Sequence, residues 1–267
     1  VLHCADGVRT NSWVTRDVLV RGGIAADAIT VIPLHYTERM RVDGDLAAYR
    51  AEARGDILAR HGLADDCELL VAACRLTPFK GLDLAVRALA HVHGERPQAR
   101  FLICGGDRIV PGVGSYRTLL ERLADESGIL PALIFAGNID PDEVKRYYAA
   151  ADLHLVPSYI DTFNYSSVEA ALTGTRTVMT DLVGSGYWLK KAGAALVVEG
   201  RDVATFAAAI LLGLRQGSGP SGARGVAQRT TDELGLPRLA GELDAMLARC
   251  ASSSGRAGAA VGTHGKR

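Results

Sequence analysis

The chain reads as an α/β protein with a doubly wound parallel sheet. From Cys67 to Leu214, short apolar, β-rich runs alternate with helix-length amphipathic segments. The apolar runs are continuous rather than alternating, as in strands buried on both faces by helices. In such sheets a ligand binds beyond the carboxyl ends of the strands, which makes the strand-to-helix loops the place to look for chemistry.

Taken in order, Val8–Asn11 is a short strand followed by a helix, and Ile29–Pro33 is a second strand. Asp43-Gly44-Asp45 lies in a polar linker before another helix. Cys67–Cys74 is apolar and leads to Gly81–His91, whose leucines and alanines recur at helical spacing. Arg100–Cys104 runs through a Gly-rich loop to a helix at Tyr116–Ala124. Ala132–Ala136 precedes Pro141–Ala150, where Pro141 and Asp142 suit a first helical turn. Leu153–Val156 precedes a helix that carries Glu169 and stops at Gly174. Thr177–Thr180 leads to a short segment ending near Lys191, and Ala195–Val198 leads to Val203–Leu214. Ser218–Arg224 is rich in Gly, Ser and Pro and predicts a loop. Arg238–Cys250 predicts one more helix. Ala251–Arg267 holds few large apolar residues and predicts a disordered tail.

The 267 residues are 48% hydrophobic, enough for a real core, and 30 basic side chains balance 30 acidic ones. Zero net charge argues against a nucleic-acid binder, whose affinity needs a basic surface. No apolar run approaches the ~20 residues that span a bilayer. The five cysteines, Cys4, Cys67, Cys74, Cys104 and Cys250, are dispersed without a C-x-x-C pair and are expected as free thiols in the cytoplasm. The histidines do not cluster as zinc ligands, and His154, inside an apolar strand, is expected as a packed side chain. No metal or cofactor is expected. There is no P-loop and no G-x-S-x-G elbow, and Gly112-Val113-Gly114 lacks the third glycine of a dinucleotide site.

The most informative stretch is Pro157 to Ala170, a strand-to-helix turn straddled by Asp161 and Glu169. Unpaired N–H groups at the start of that helix suit a phosphate, and a carboxylate about one turn in can accept from a ribose diol. A simpler alternative is a helix N-cap by Asp161 with Glu169 as a surface residue. After the first strong strand, Arg75 and Lys80 place two cations on one strand-to-helix loop, able to hold a diphosphate. The alternative there is a pair of solvated cations.

The carboxylate segment resembles the E-x7-E segment of retaining glycosyltransferases of the GT-B fold, family 4 (glycosyl transferases group 1). Cys74-Arg75-Leu76-Thr77-Pro78-Phe79-Lys80-Gly81-Leu82-Asp83 resembles that family's G-R-L-x-x-x-K-G-x-D. Phe101–Gly106, Phe135–Ile139, Tyr148–Asp152 and Leu172–Arg176 resemble further family landmarks in the same order, and Gly23-Ile24 with Ile32-Pro33 resembles the passage out of a first domain. The resemblance runs from near Ala5 to near Arg215. It implies the Rossmann-like C-terminal half of a GT-B fold. Residues 1–40 would be a hinge or the edge of a domain, 41–250 the nucleotide-sugar donor domain, and 251–267 the tail. The chain opens at Val1 without methionine, and the expectation is that an N-terminal acceptor domain is missing.

By this resemblance, Arg75 and Lys80 hold the donor diphosphate together with the helix start at Tyr165–Ser167. Glu169 holds the ribose. Asp161, with the backbone of Phe163 and Asn164, positions the sugar. Gly105 belongs to the Gly-rich loop, and Asn138 and Ile139 border the base. The chain departs from the family at Cys74, Asp161 and Asn164 (for Gly, Glu and Gly), at Leu172 and Arg176, and at Leu34-His35-Tyr36-Thr37. Two other functions stay open: a non-catalytic nucleotide-sugar binding module, and a GT-B sugar-nucleotide epimerase. Asp43-Gly44-Asp45 matches a metal-gripping D-x-D but is expected to be a surface loop.

Overall fold

The computed structural model describes residues 5, 7–36, 38–112, 114–217 and 220–261. Its centre is a six-stranded, all-parallel sheet made of β3 (Glu68–Ala73), β4 (Ala99–Cys104), β7 (Leu133–Gly137), β8 (Leu153–Val156), β9 (Thr177–Thr180) and β10 (Ala195–Val198). The order across the sheet is β10-β9-β8-β3-β4-β7. From β3 the chain winds outward through β4 to β7, then returns to the other side of β3 and winds outward again. The reversal lies between β3 and β8, which pair at Leu70–Leu153 and Val71–His154. A crevice opens beyond the strand ends at such a point, because the flanking helices depart to opposite faces.

Side-chain alternation explains the unbroken apolar runs. Leu70 and Ala72 of β3, Phe101 and Ile103 of β4, and Leu153 and Leu155 of β8 face one core. That core is closed by α3 (Leu82–Glu95), α4 (Tyr116–Glu126) and α8 (Val203–Gln216). Leu69 and Val71 of β3 and Leu102 and Cys104 of β4 face the opposite core, under α2 (Leu46–Arg60) and α5 (Val144–Ala150). That second face continues beneath α6 (Tyr165–Leu172), α7 (Gly186–Lys191) and α9 (Pro220–Leu234). Both faces are covered by helices, so even the polar members His154, Thr177 and Thr180 are buried.

Buried carbonyls at the start of β3 and β8 are satisfied from α2. Arg50 donates to the carbonyls of Thr173 (2.9 Å) and Ala151 (3.1 Å), and Arg54 donates to Ala150 (2.9 Å) and pairs with Asp152 (3.1 Å). Asp152 in turn accepts from the Leu69 amide at 2.7 Å. Asp45 caps α2 by accepting from Ala47 and Ala48, and Asp43 is exposed, so the D-x-D serves a helix start on the surface.

Ahead of the main sheet, β1 (Val8–Thr10), α1 (Trp13–Arg21) and β2 (Ile29–Val31) form a two-stranded parallel unit. The last helix, α10 (Leu236–Val261), returns to it: Leu239 and Met246 bury Ile32. A two-residue hairpin, β5 (Ile109–Val110) with β6 (Gly114–Ser115), leads into α4.

Three boundaries differ from the sequence reading. The helix expected from Pro141 begins at Val144, because the Asp140 carboxylate accepts from the Asp142 amide and first holds a turn. The loop expected at Ser218–Arg224 is helical from Pro220, since proline suits a first helical position and Ala223 and Val226 are buried. Packing overrides the Gly/Ser composition there. The tail expected to be disordered from Ala251 continues α10 to Val261, since extending an existing helix avoids the cost of nucleation even through Gly255 and Gly258. Residues 262–267, Cys4 and Val113 lie outside the described residues, as does Thr37 of the Leu34–Thr37 stretch. Among the described residues no helix is long and apolar enough to cross a membrane.

His154 is fully buried in β8, with Nδ1 within 3.2 Å of the Thr177 hydroxyl and its ring edge-on to Tyr148. Burial pushes its pKa down to about 3 from 6.5. The folded state therefore binds fewer protons than the unfolded state between those values, and stability falls as pH drops below 6.5. Lowering the pH from 7 to 5 should cost about 2 kcal/mol through this group. Urea unfolding of the chain and of His154→Gln at both pH values checks this: the variant should lose this part of the acid sensitivity.

Candidate active site

Two loops at the reversal between β3 and β8 build the site. After β3, Cys74 and Arg75 lead into a single 3₁₀ turn at Pro78–Lys80, which Gly81 ends with φ 64°. A Cβ on Gly81 would fall 2.0 Å from the Pro157 carbonyl oxygen, so this position needs glycine for conformation and for space. The loop after β8 is thereby pressed against it, and the Tyr159 amide donates to the Phe79 carbonyl at 2.9 Å. On the far side, the turn after β9 clamps the same loop. The Asp161 amide donates to Leu182, and the amides of Gly184 and Ser185 donate to the carbonyls of Asp161 and Phe163 (3.0, 2.9 and 2.7 Å). Asp161 thus sits on backbone held from two directions.

Between these loops lies a cavity of about 330 Å³. Arg75, Lys80, Asp161, Phe163, Asn164, Tyr165 and Ser166 line it, as do Cys74 and Leu34. Lys80 Nζ lies 2.6 Å from Asp161 Oδ2, with both side chains largely withdrawn from solvent. Arg75 is exposed and has no ion pair among the described residues. Burial pushes the Cys74 thiol up to about 12, so at neutral pH it lines the cavity as an uncharged group and adds no charge beside the two cations.

α6 is capped by Asn164, not by Asp161 as the simpler reading had it. Asn164 is the one non-glycine residue with positive φ (75°) among those described. Its Oδ1 accepts from the Ser167 amide at 2.9 Å and from the Ser166 hydroxyl at 3.0 Å. Its Nδ2 donates to Asp161 Oδ2 at 2.9 Å. With Ser167 served, the amides of Tyr165 and Ser166 have no intrahelical acceptor, and both residues line the cavity.

Glu169 does not line this cavity, and it is half-buried rather than a surface residue. Tyr148 on α5 donates to its Oε2 at 3.2 Å. Burial raises the Glu169 pKa, against the opposing effects of the Tyr148 hydrogen bond and the Arg39 charge. Gly105, Asn138 and Ile139 also lie outside the cavity lining. A Cβ on Gly105 would meet the Cys74 carbonyl at 1.8 Å, and one on Gly106 would meet Asn138 Oδ1 at 2.6 Å. Ile139 packs in the core beneath, and Asn138 is exposed.

Sequence reasoning passed over three supports of the site. Asp83, quoted only as part of a motif, accepts from the hydroxyls of Tyr116 (2.9 Å) and Tyr159 (2.7 Å) and so ties α3 and α4 to the loop that carries Asp161. Tyr148 as the holder of Glu169, and Asn164 as cap and brace, were not read either. Only the unusual Asn at a glycine position signalled the last.

Residues 67–216, more than half of the chain, match the family described as Glycosyl transferases group 1. The chain belongs to this family. It is 33% identical over 218 residues to a D-inositol 3-phosphate glycosyltransferase of Acidothermus cellulolyticus, covering 79% of this chain and 46% of that protein. It is 32% identical over 201 residues to the same-named enzyme of Mycobacterium tuberculosis, covering 73% and 41%. The chain spans about half the length of the curated relatives it matches. Among solved structures it resembles sucrose-phosphate synthase from Thermosynechococcus elongatus (TM-score 0.72, 23% identity, 93% of this chain and 59% of that one). It also resembles Anabaena Alr3699/HepE in complex with UDP-glucose (TM-score 0.73, 18% identity, 91% and 64%). The fold is that of GT-B glycosyltransferases.

A carboxylate whose folded pKa is raised contributes stability that is lost as pH rises through that value. Ionised Glu169 therefore costs the empty protein stability at neutral pH. Glu169→Gln, which keeps an acceptor for Tyr148, should raise the melting temperature at pH 7 and leave it nearly unchanged at pH 4. Calorimetric melting of both proteins at the two pH values checks this.

Proposed function

We propose that this chain is the donor-binding part of a retaining glycosyltransferase, one that moves a hexose from a nucleotide diphosphate sugar to an acceptor hydroxyl. The observation that carries the reading is the cavity at the strand reversal. It gathers Arg75, which has no ion pair among the described residues, Lys80, the open amides of a helix start, and a fixed carboxylate, Asp161, that Lys80 itself contacts. That combination complements a diphosphate attached to a polyhydroxylated ring. The family membership supports it, as does the likeness to a protein solved with UDP-glucose.

In this reading the sugar's C1–O bond to the diphosphate breaks as the acceptor oxygen attacks C1 from the same face. The acceptor's proton passes to the departing phosphate oxygen, so anomeric configuration is retained. Arg75, Lys80 and the amides of Tyr165 and Ser166 face the charge that develops on the leaving group, where fixed donors lower the barrier most. Asp161 accepts from the sugar hydroxyls, Glu169 from the ribose, and Asn138 and Ile139 flank the base. The acceptor would bind largely on protein outside this chain. An epimerase needs paired acid/base groups at the sugar, whereas Asp161 is the one carboxylate lining the cavity. No metal is required to offset the diphosphate charge.

Calorimetry with UDP, with and without EDTA, should give the same affinity, and binding that the chelator abolishes would refute the metal-free reading. Arg75→Ala should weaken UDP by roughly 1.5–3 kcal/mol, the scale of a lost charge-assisted hydrogen bond. Mass spectrometry of donor and acceptor mixtures should show transfer by the full-length protein and little by residues 1–267 alone. Efficient acceptor-specific transfer by the span alone would contradict the division of labour.

A further inference from the structure

The ion pair between Lys80 and Asp161 joins two groups that the proposed reaction uses separately, one on the diphosphate and one on the sugar. Their attachments to the protein are unequal. Asp161 is fixed by its backbone bonds to the turn after β9, by Asn164 Nδ2 at 2.9 Å on Oδ2, and by the Phe163 amide at 3.4 Å on Oδ1. Lys80 makes one side-chain contact among the described residues, the 2.6 Å bond to Asp161, at the end of four rotatable methylenes. When something competes for the pair, the lysine moves and the carboxylate stays.

We propose that Asp161 is a specificity-determining residue that makes the site discriminate between a loaded donor and the bare nucleoside diphosphate, by acting as an internal competitor for Lys80. This rests on the reading above that Arg75, Lys80 and the start of α6 hold a diphosphate. A bare diphosphate that draws Lys80 away leaves Asp161, largely withdrawn from solvent, with only the neutral donors of Asn164 and the Phe163 amide. Stranding one partner of such a pair is costly. A sugar attached to the diphosphate removes the penalty, because its hydroxyls donate to the carboxylate that Lys80 has left. Once the sugar has been transferred, Asp161 takes Lys80 back and the diphosphate loses a ligand, which favours its release. Asn164 is the positioning residue of this device: its carboxamide, fixed by the helix start it caps, keeps Asp161 from following the lysine. Discrimination comes from a group left unpaired with the wrong ligand rather than from added contacts with the right one.

The test uses inorganic pyrophosphate, which probes the cation site without regard to base or sugar, on the unmodified protein, Asp161→Asn, Lys80→Met and the double variant. Asp161→Asn keeps the shape and an acceptor for Asn164. It should bind pyrophosphate about three- to tenfold more tightly by calorimetry, the range expected for releasing one partly buried pair. The gain must vanish in the Lys80→Met background. An equal gain without Lys80 would mean that only repulsion between a carboxylate and an anion had been relieved, and would overturn the competition. So would an Asp161→Asn protein that folds, by circular dichroism, and binds pyrophosphate no better. In parallel, the preference of the unmodified protein for UDP-glucose over UDP should shrink in Asp161→Asn, and a ratio that holds or grows would also overturn it. If no protein in the set binds pyrophosphate and Arg75→Ala has no effect on UDP, the diphosphate site itself is wrong, and the proposed function falls with this inference.

Discussion

The carbonyl of Pro157 lies so close to Gly81 that no side chain fits between them, and this contact exists because β3 and β8 are neighbours. Two loops that are far apart in sequence leave adjacent parallel strands on the same edge and run backbone to backbone. The order of strands puts Arg75 and Lys80 opposite Asp161 and the start of α6, and the glycine lets them approach. A different partner for β3 would scatter the same residues along the sheet edge.

Given that frame, the electrostatics of the cavity follow from which groups are paired and which are not. Net charge is zero, yet the cavity is not neutral in detail: Lys80 is matched by Asp161, Arg75 is unmatched, and the helix start adds partial positive charge. Elsewhere arginines are spent on structure. Arg50 and Arg54 serve carbonyls beneath the sheet, and Arg146 pairs with Glu52 and Asp56 on the surface. Among the described residues Arg75 is an exposed cation at the reversal without an ion pair.

Strand positions were legible because both sheet faces are covered by helices, so the strands appear as mostly apolar runs. β8, β9 and β10 fall where the runs predicted them. The start of α9 and the extent of α10 were not legible, since Gly and Ser near Pro220 and the Ser/Ala composition after Cys250 signal loop. Burial of Ala223 and Val226, and propagation from an existing helix, decide otherwise. At the site, the motifs grouped Arg75, Lys80, Asp161 and the residues following it, which the structure brings to one cavity. They did not show that Lys80 and Asp161 touch, that Asn164 is the cap, or that Glu169 stands away from the cavity against Tyr148. Such facts depend on which rotamer meets which partner across the fold, and spacing along the chain carries no record of that.

Beside the cavity, main chain is pressed against main chain at Gly81, Gly105 and Gly184 with no room for side chains. Such packed backbone has few torsions with which to adapt, so the placing of the loops that it joins is set when the protein folds. Rotatable bonds remain at the rim, in Arg75, Lys80 and Tyr165. Adaptation to a ligand would therefore fall to these side chains rather than to the backbone.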